Sequence, residues 1–368
     1  MAAVAFYISG HGFGHASRQV EIINAFARRR PDVGILLRTS VARWLLDRSL
    51  TTPFMLDDRP VDTGMVQIDS LRLDVEATIA QARDFYRTLD ARAAAESGAL
   101  HAHDARLVVA DAPPLGCAAA ARAGIPSVVV ANFTWDWIYA AYDEYLPAAP
   151  ELIPTIAAAY RLAQAAWRLP MHGGFGVFNP SSRYGAPARQ AAAVIDVPFV
   201  ARHATRAPSD TRARLGLPLD RKLVLPSFGG CGVSGLDLDT LDLGPSWEVV
   251  RTPDAALLEA GVRYEDLVRA VDAVITKPGF GIISECIAND TALVYTARGR
   301  FAEYPLLLAE MPRYLRCAYL DNDALLAGRW RAALDAAIGA PPPPERPRTD
   351  GAEVIADMIA AQLSTADG

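Results

Sequence analysis

Apolar positions fall in short blocks along this chain, and the blocks alternate with stretches of helical periodicity. The first block, Val4-Ala5-Phe6-Tyr7-Ile8, has the length of a buried strand and stops at Gly10-His11-Gly12-Phe13-Gly14-His15. Beyond the glycines, Val20, Ile22, Ile23, Phe26 and Ala27 recur at helical spacing. Gly34-Ile35-Leu36-Leu37-Arg38 predicts a second strand, and Val41 to Leu46 a short helix. Residues 53–75 read as irregular, and Val75 to Leu100 as one long, alanine-rich helix. Leu107-Val108-Val109-Ala110-Asp111 predicts a strand ending in a carboxylate; a helix (Gly116 to Ala123) and a strand (Ser127 to Ala131) follow. Residues 151–169 predict an amphipathic helix, 173–176 a break, and Val177-Phe178 the last strand of this half. Strands separated by helices and short loops make a parallel, doubly wound sheet.

The second half starts the same way. Pro198, Pro208 and Pro218, with a short helix at Ser209 to Leu215, mark a linker. Lys222-Leu223-Val224-Leu225-Pro226 then opens a second sheet and runs into Ser227-Phe228-Gly229-Gly230-Cys231-Gly232. A strand ending at Thr276 leads into Lys277-Pro278-Gly279-Phe280-Gly281, and Ala292 to Thr296 predicts the next strand. Pro341 to Pro344 precede a terminal helix, Ala352 to Leu363, whose apolar face is expected to pack back on the first half. The expected organisation is an α/β chain of two Rossmann-like domains facing a central cleft, residues 1–200 and 221–340. Residues 201–220 are the expected linker, and 341–368 the proline segment with its helix.

Composition narrows the function classes. Across 368 residues, 36 basic against 42 acidic side chains argue against a nucleic-acid binder that relies on a broad basic field. Cys117, Cys231, Cys286 and Cys317 are scattered without a C-x-x-C and suggest neither zinc nor disulfides. The chain enters a strand at once, without a basic leader, and no apolar run has the length of a bilayer span. A soluble, cytoplasmic protein with at most peripheral membrane contact is expected. Lysine occurs only at positions 222 and 277, so a lysine at a special position carries extra weight.

Candidate chemistry collects at strand ends. Gly12 and Gly14 let backbone approach a ligand, and a histidine in that loop, His11 or His15, is placed to act as a general base. Asp111, at the same sheet edge, either orients that imidazole or caps the following helix. Asp136 lies in the aromatic passage Asn132-Phe133-Thr134-Trp135-Asp136-Trp137, which suits a sugar or ring face. In the second half, N–H groups of Gly279, Phe280 and Gly281 at a helix start suit a diphosphate, with Lys277 beside them. Glu285 is placed to accept from two ribose hydroxyls, with Ser284 next to it; Arg298, Arg300 and Glu303 follow the next strand on the same edge. The Asp-x-Asp within residues 236–242 reads as a solvated loop, and no metal site is expected.

Taken together, Gly12-Phe13-Gly14-His15, Asp111, Phe228-Gly229-Gly230 and Thr276-Lys277-Pro278-Gly279-Phe280-Gly281 with Ser284-Glu285 resemble GT-B glycosyltransferases of the MurG-like and UDP-glycosyltransferase branch. More narrowly, residues 10–18, Asp62-Thr63-Gly64-Met65-Val66-Gln67 and Asn132-Phe133-Thr134-Trp135-Asp136 look like the glycosyltransferase-like N-terminal half of L-arabinokinases. The sugar-kinase half of those proteins has no counterpart in this sequence, so kinase activity is not implied. The resemblance implies an acceptor-binding first domain and a second domain holding a nucleotide-diphosphate sugar as co-substrate, with no other cofactor. It implies His15 as base oriented by Asp111, the glycine-rich helix start on the diphosphate, and Glu285 on the ribose. The implied reaction is inverting, metal-independent transfer from a UDP-sugar to a small-molecule or lipid-linked acceptor. A nucleotide-sugar 2-epimerase and a non-catalytic sugar-nucleotide binding module share this architecture and are the alternatives.

Overall fold

The computed structural model describes residues 2–179, 192–230, 232–239, 241–251 and 254–366. The chain forms two compact units. The first holds Met1–Val66, Asp74–Val200 and Asp350–Gly368; the second holds Gln67–Leu73 and Ala201–Thr349.

The first unit carries strands β1 (Ala3–Ile8), β2 (Gly34–Thr39), β3 (Met55–Asp58), β4 (Ala105–Asp111), β5 (Ser127–Phe133), β6 (Ala165–Gly173) and β7 (Ala193–Asp196). Its helices up to residue 200 are α1 (Phe13–Arg29), α2 (Arg43–Ser49), α3 (Val75–Tyr86), α4 (Leu89–Ala102), α5 (Pro114–Ala123), α6 (Trp135–Ala140) and α7 (Leu152–Tyr160). The strands lie in the order β3-β2-β1-β4-β5-β6-β7, all parallel. Strand order therefore reverses between β1 and β4, where Ile8 sits opposite Asp111. β1 and β4 are buried on both faces, which explains their unbroken apolar runs.

The second unit carries α8 (Pro208–Arg214), β8 (Lys222–Pro226), β9 (Trp247–Val249), α9 (Asp254–Glu259), α10 (Tyr264–Ala270), β10 (Ala273–Thr276) and α11 (Phe280–Asn289). It continues with β11 (Ala292–Tyr295), α12 (Tyr304–Tyr314), β12 (Cys317–Tyr319), α13 (Asn322–Leu326) and α14 (Arg331–Gly339). Its sheet runs β12-β11-β10-β8-β9, again parallel, and its order reverses between β8 and β10. Val224, Ile275, Val294, Trp330 and Leu334 form its core, and Leu71 from the 67–73 segment is part of that core.

The last helix, α15 (Gly351–Ala366), belongs to the first unit. Ile355 and Ile359 are fully buried in the cluster that holds Phe6, Val20, Ile23 and Phe26. Arg28 and Arg29 of α1 pair with Glu353 and Asp357 at its rim. Beneath the other side of the sheet, fully buried Arg38 meets Glu96 of α4 at 2.5 Å, and Tyr7 donates to the same carboxylate at 2.7 Å.

Several elements differ from the sequence expectation. The helix expected over 75–100 breaks at Arg87 and Thr88, where the Thr88 hydroxyl bonds the Phe85 carbonyl and closes α3. The helix expected over 151–169 ends at Tyr160, and Ala165–Gly173 is a nine-residue strand. Trp167 and Leu169 enter the core while Arg168 turns to Asp196 at 2.6 Å. That period-two signal is masked because the two alanines before Trp167 favour a helix. Val177-Phe178 lies in a 3-10 turn rather than a strand. The irregular stretch 53–75 contains β3. Residues 201–220, expected as a linker, belong to the second unit, where Arg212 of α8 binds the Ala270 carbonyl at 2.7 Å and Asp272 at 2.9 Å. Cys231 lies outside the described residues.

Truncation of Ile355 or Ile359 to alanine is expected to cost about 2–5 kcal/mol, the range for a buried aliphatic side chain. Loss of the Glu353 carboxylate, which is half exposed, is expected to cost under about 1 kcal/mol. Urea titration of the three variants checks the order; an equal effect for all three contradicts a core role for α15.

Candidate active site

In open parallel sheets, ligands bind beyond the carboxyl ends of the strands where strand order reverses. Both glycine-rich loops of this chain lie at such points. The loop after β1 and the end of β4 flank the reversal in the first unit. The loops after β8 and β10 flank it in the second.

In the first unit, Gly12 ends the loop with φ +74°, a conformation that favours glycine, and α1 begins at the next residue. The first turns of α1 then present His15, Arg18 and Gln19 to Asp111. His15 Nδ1 lies 2.9 Å from Asp111 Oδ1. Arg18 Nε donates to Oδ2 at 2.6 Å, Arg18 Nη2 donates to Oδ1, and Gln19 Nε2 donates to Oδ2 at 3.1 Å. Asp111 therefore orients the imidazole and does not cap α5, whose N-terminus is formed by Pro113 and Pro114 without a side-chain cap. Burial pushes the Asp111 carboxyl up, but the pull of Arg18 and His15 outweighs it and holds it at about 2. An ionised carboxylate only accepts, so a ring that donates to Asp111 carries its proton on Nδ1 and leaves Nε2 as the basic nitrogen; Arg18 Nη2 lies 2.8 Å from the same Nδ1. The edge of the ring meets Phe133 at 5.6 Å between centroids.

His11 has a different place. Its Nδ1 accepts from the Met65 N–H at 3.2 Å, and its ring meets Trp135 at 6.2 Å. Gly64, with φ +61°, lies so close that an added Cβ would stand 2.6 Å from His11 Cβ. Of the two candidate bases, His15 is the one bonded to Asp111.

Asp62 is a buried carboxylate that the sequence placed in an irregular stretch. It accepts from Ser9 Oγ at 3.0 Å and from Trp135 Nε1 at 2.9 Å. Burial pushes it up to about 6, against the opposing pull of Ser9, His15 and Trp135, and the Asp111 charge adds to the rise. Only the resemblance to the Asp62–Gln67 motif pointed to it; no periodicity did. Asp136 is buried at the start of α6, and burial also raises its carboxyl. Its Oδ1 is buried without a hydrogen-bond partner.

In the second unit, Phe228 is buried and its carbonyl accepts from Ser70 Oγ, while Gly229 turns with φ +74° and Gly230 is exposed. Gly279 caps α11 from an extended conformation, and a Cβ there or at Gly229 would meet open space. Phe280 and Gly281 form the first turn of α11, half exposed, and Lys277 is half-buried just before it.

Ser284 bonds the Gly281 carbonyl of its own helix at 2.9 Å. Glu285 is buried and pairs with Arg202, whose Nε and Nη2 reach Oε1 at 2.7 and 2.5 Å. Burial raises its carboxyl and the Arg202 charge opposes the rise. Arg202 lies in the stretch read as a linker, so its link to Glu285 had no sequence signal. Glu303 pairs with buried Arg298 at 2.8 Å; Arg298 also donates to the Pro278 carbonyl at 3.2 Å and lies 3.7 Å from the Phe301 ring centre. Glu303 thus helps tie the loop after β11 to the loop after β10, while Arg300 is exposed.

No protein-family model matches the chain. It is 30% identical over 378 residues to an L-arabinokinase of Arabidopsis thaliana, covering 96% of this chain and 34% of that protein. The chain thus spans about a third of the length of the curated relative it matches. Among solved structures, it is similar to CalG4, the calicheamicin glycosyltransferase, with a TM-score of 0.60, 15% identity and 98% of each chain covered. It is also similar to Arabidopsis thaliana UGT89C1 complexed with UDP, with a TM-score of 0.56 and 14% identity over 100% of this chain and 98% of that one. A third likeness is to S. aureus MnaA with UDP, with a TM-score of 0.52 and 9% identity over 99% and 97% of the two chains. These likenesses establish the fold: an α/β chain of two Rossmann-like units of the GT-B type. No helix among the described residues is long and apolar enough to cross a membrane.

The Asp62 environment sets a pH dependence. Its carboxyl titrates near 6 in the folded chain and near 3.8 when unfolded, so the native state holds the proton more tightly. Stability from this group is fully present below pH 3.8 and is lost as pH rises through 6. Asp62→Asn is expected to gain on the wild type between pH 4 and 6.5, towards about 3 kcal/mol at most, and to stay level above that. Denaturant titrations across this range check it; a difference independent of pH contradicts the assignment.

Proposed function

We propose that this protein is a glycosyltransferase that moves a sugar from a nucleotide-diphosphate donor, most simply a UDP-sugar, to an acceptor hydroxyl with inversion at the anomeric carbon. The observation that carries this reading is the His15–Asp111 pair at the strand reversal of a GT-B-type unit: an imidazole with Nδ1 occupied and Nε2 left to accept a proton. The similarity to UDP-complexed chains supports the choice of donor.

In the proposed step, His15 Nε2 removes the proton of the acceptor hydroxyl as its oxygen attacks the anomeric carbon. The bond from that carbon to the diphosphate oxygen breaks, and the diphosphate leaves with the electron pair. Backbone N–H groups at Gly279, Phe280 and Gly281 stabilise the growing negative charge, with Lys277 and Arg300 as the basic side chains on that edge. Glu285 accepts from the ribose through Oε2, because both Arg202 contacts fall on Oε1. The acceptor is assigned to the first unit, with Asp136 as a candidate polar contact.

Calorimetry against UDP, GDP, dTDP and CDP is expected to show binding of one nucleotide family. His15→Ala is expected to keep that affinity within about twofold and lower transfer by about 10²–10⁴. Glu285→Ala is expected to weaken donor binding about tenfold. Loss of donor affinity in His15→Ala overturns the base assignment. Donor turnover without any acceptor selects the 2-epimerase, and binding without any reaction selects a binding module.

A further inference from the structure

Asp111 is shared. The imidazole of His15 takes one edge of the carboxylate, and a second, permanently charged group takes both oxygens from the same helix. Arg18 and His15 are three residues apart on α1 and so share a face. The Arg18 side chain is 8% exposed and that of Asp111 fully buried. Its position is over-determined: Nε and Nη2 bind Asp111, while Nη1 donates to Asn132 Oδ1. Asn132 is itself fixed by donating Nδ2 to the Pro170 carbonyl at 2.7 Å, which turns its oxygen towards Arg18. Arg18 Nη2 also lies 2.8 Å from His15 Nδ1. In the tautomer that donates Nδ1–H to Asp111, two N–H groups face each other here and make no hydrogen bond. It sets a positive charge against the edge of the imidazole.

We propose that Arg18 is a positioning residue that supplies the counter-charge for Asp111, so that His15 stays neutral, with Nδ1 protonated and Nε2 able to accept a proton. The proposal rests on the glycosyl-transfer reading only for its catalytic consequence. A buried carboxylate must be matched by positive charge. Without Arg18, the nearest group able to supply it is His15, which would take a second proton on Nε2 and lose its capacity as a base. With Arg18 present, the Asp111 charge is matched without a second proton on His15. Among the described residues, the charged and titratable groups shown to interact with His15 are Asp111 from β4, Arg18 from α1 itself, and Asp62 from the stretch after β3. Both carboxylates favour a second proton on the ring; Arg18 is the group among these that opposes it. Gln19, which also donates to Asp111, brings no charge and cannot replace it.

The test reads the protonation of His15 directly and needs no substrate. In protein carrying ¹⁵N-labelled histidine, with the His15→Ala spectrum assigning the signals, wild type at pH 7 is expected to show His15 protonated on Nδ1 alone. Arg18→Gln is expected to show both ring nitrogens protonated, and Arg18→Lys, which keeps the charge, to stay singly protonated. A singly protonated His15 in Arg18→Gln, or equal double protonation in the Lys and Gln variants, overturns the proposal. Should Arg18→Gln be too unstable for spectra at pH 7, its stability in a stabilising osmolyte is expected to fall more steeply between pH 6.5 and 9 than that of Arg18→Gln/His15→Ala, because its native state then holds a second proton on His15 that is lost as pH rises. Equal slopes overturn the proposal as well. Transfer by Arg18→Gln is expected to fall at least tenfold at pH 7 and to recover as pH rises towards 9; a loss that does not recover with pH overturns the catalytic role. A wild type that transfers no sugar but shows the expected ring signals defeats the glycosyl-transfer reading and leaves the charge assignment standing.

Discussion

A carboxylate without access to water has to find donors and positive charge within the fold, and the edge of the first sheet is organised around that demand at Asp111. The strand beneath it, Leu107 to Ala110, is wholly buried, so water supplies nothing. One turn of α1 brings an imidazole, a guanidinium and an amide to the two oxygens. The glycine loop between β1 and α1 starts the helix at the residue that allows this. Asn132, on the neighbouring strand β5, completes the arrangement by holding the guanidinium rather than the carboxylate. The placement of His15 is a by-product of how this one buried charge is accommodated.

The two units treat their strand ends differently although both are doubly wound. In the first, side chains fill the reversal point with a closed set of hydrogen bonds and charges. In the second, open backbone dominates: a Cβ at Gly229 or Gly279 would meet nothing. Its charged side chains, Arg202 with Glu285 and Arg298 with Glu303, brace the surrounding loops. A rigid polar cluster suits the handling of a proton; exposed N–H groups suit an anion of several oxygens.

Much of this was legible in the chain. The apolar runs gave β1, β4, β5, β8 and β10, and polar residues closing those runs marked His15, Asp111 and the Gly279 turn. Sheet order was not legible, because it depends on how crossovers pack and leaves no local trace. β6 was hidden by alanines that favour a helix. Arg18 was hidden for a compositional reason: arginine is 34 of the 36 basic residues, so a buried one does not stand out. Asp62 had no signal beyond the motif resemblance, because its partners, Ser9 and Trp135, are 53 and 73 residues away in the chain. Glu285 was found by its place after a glycine turn, while its partner Arg202 lay in a proline-rich stretch whose local signal was that of a connector.

The short segment Gln67–Leu73 belongs to the second unit although the chain on both sides of it belongs to the first. Ser70 donates to the Phe228 carbonyl and to the Gly232 carbonyl, and Leu71 enters the second core. With the return at Asp350, the backbone passes from one unit to the other four times. Neither unit is therefore a contiguous stretch of the gene. Exchange of the second unit by a single recombination event that brings in residues 201–349 would leave Ser70 and Leu71 behind in the old background. A hybrid keeps a mismatched Gln67–Leu73 segment unless both stretches travel together.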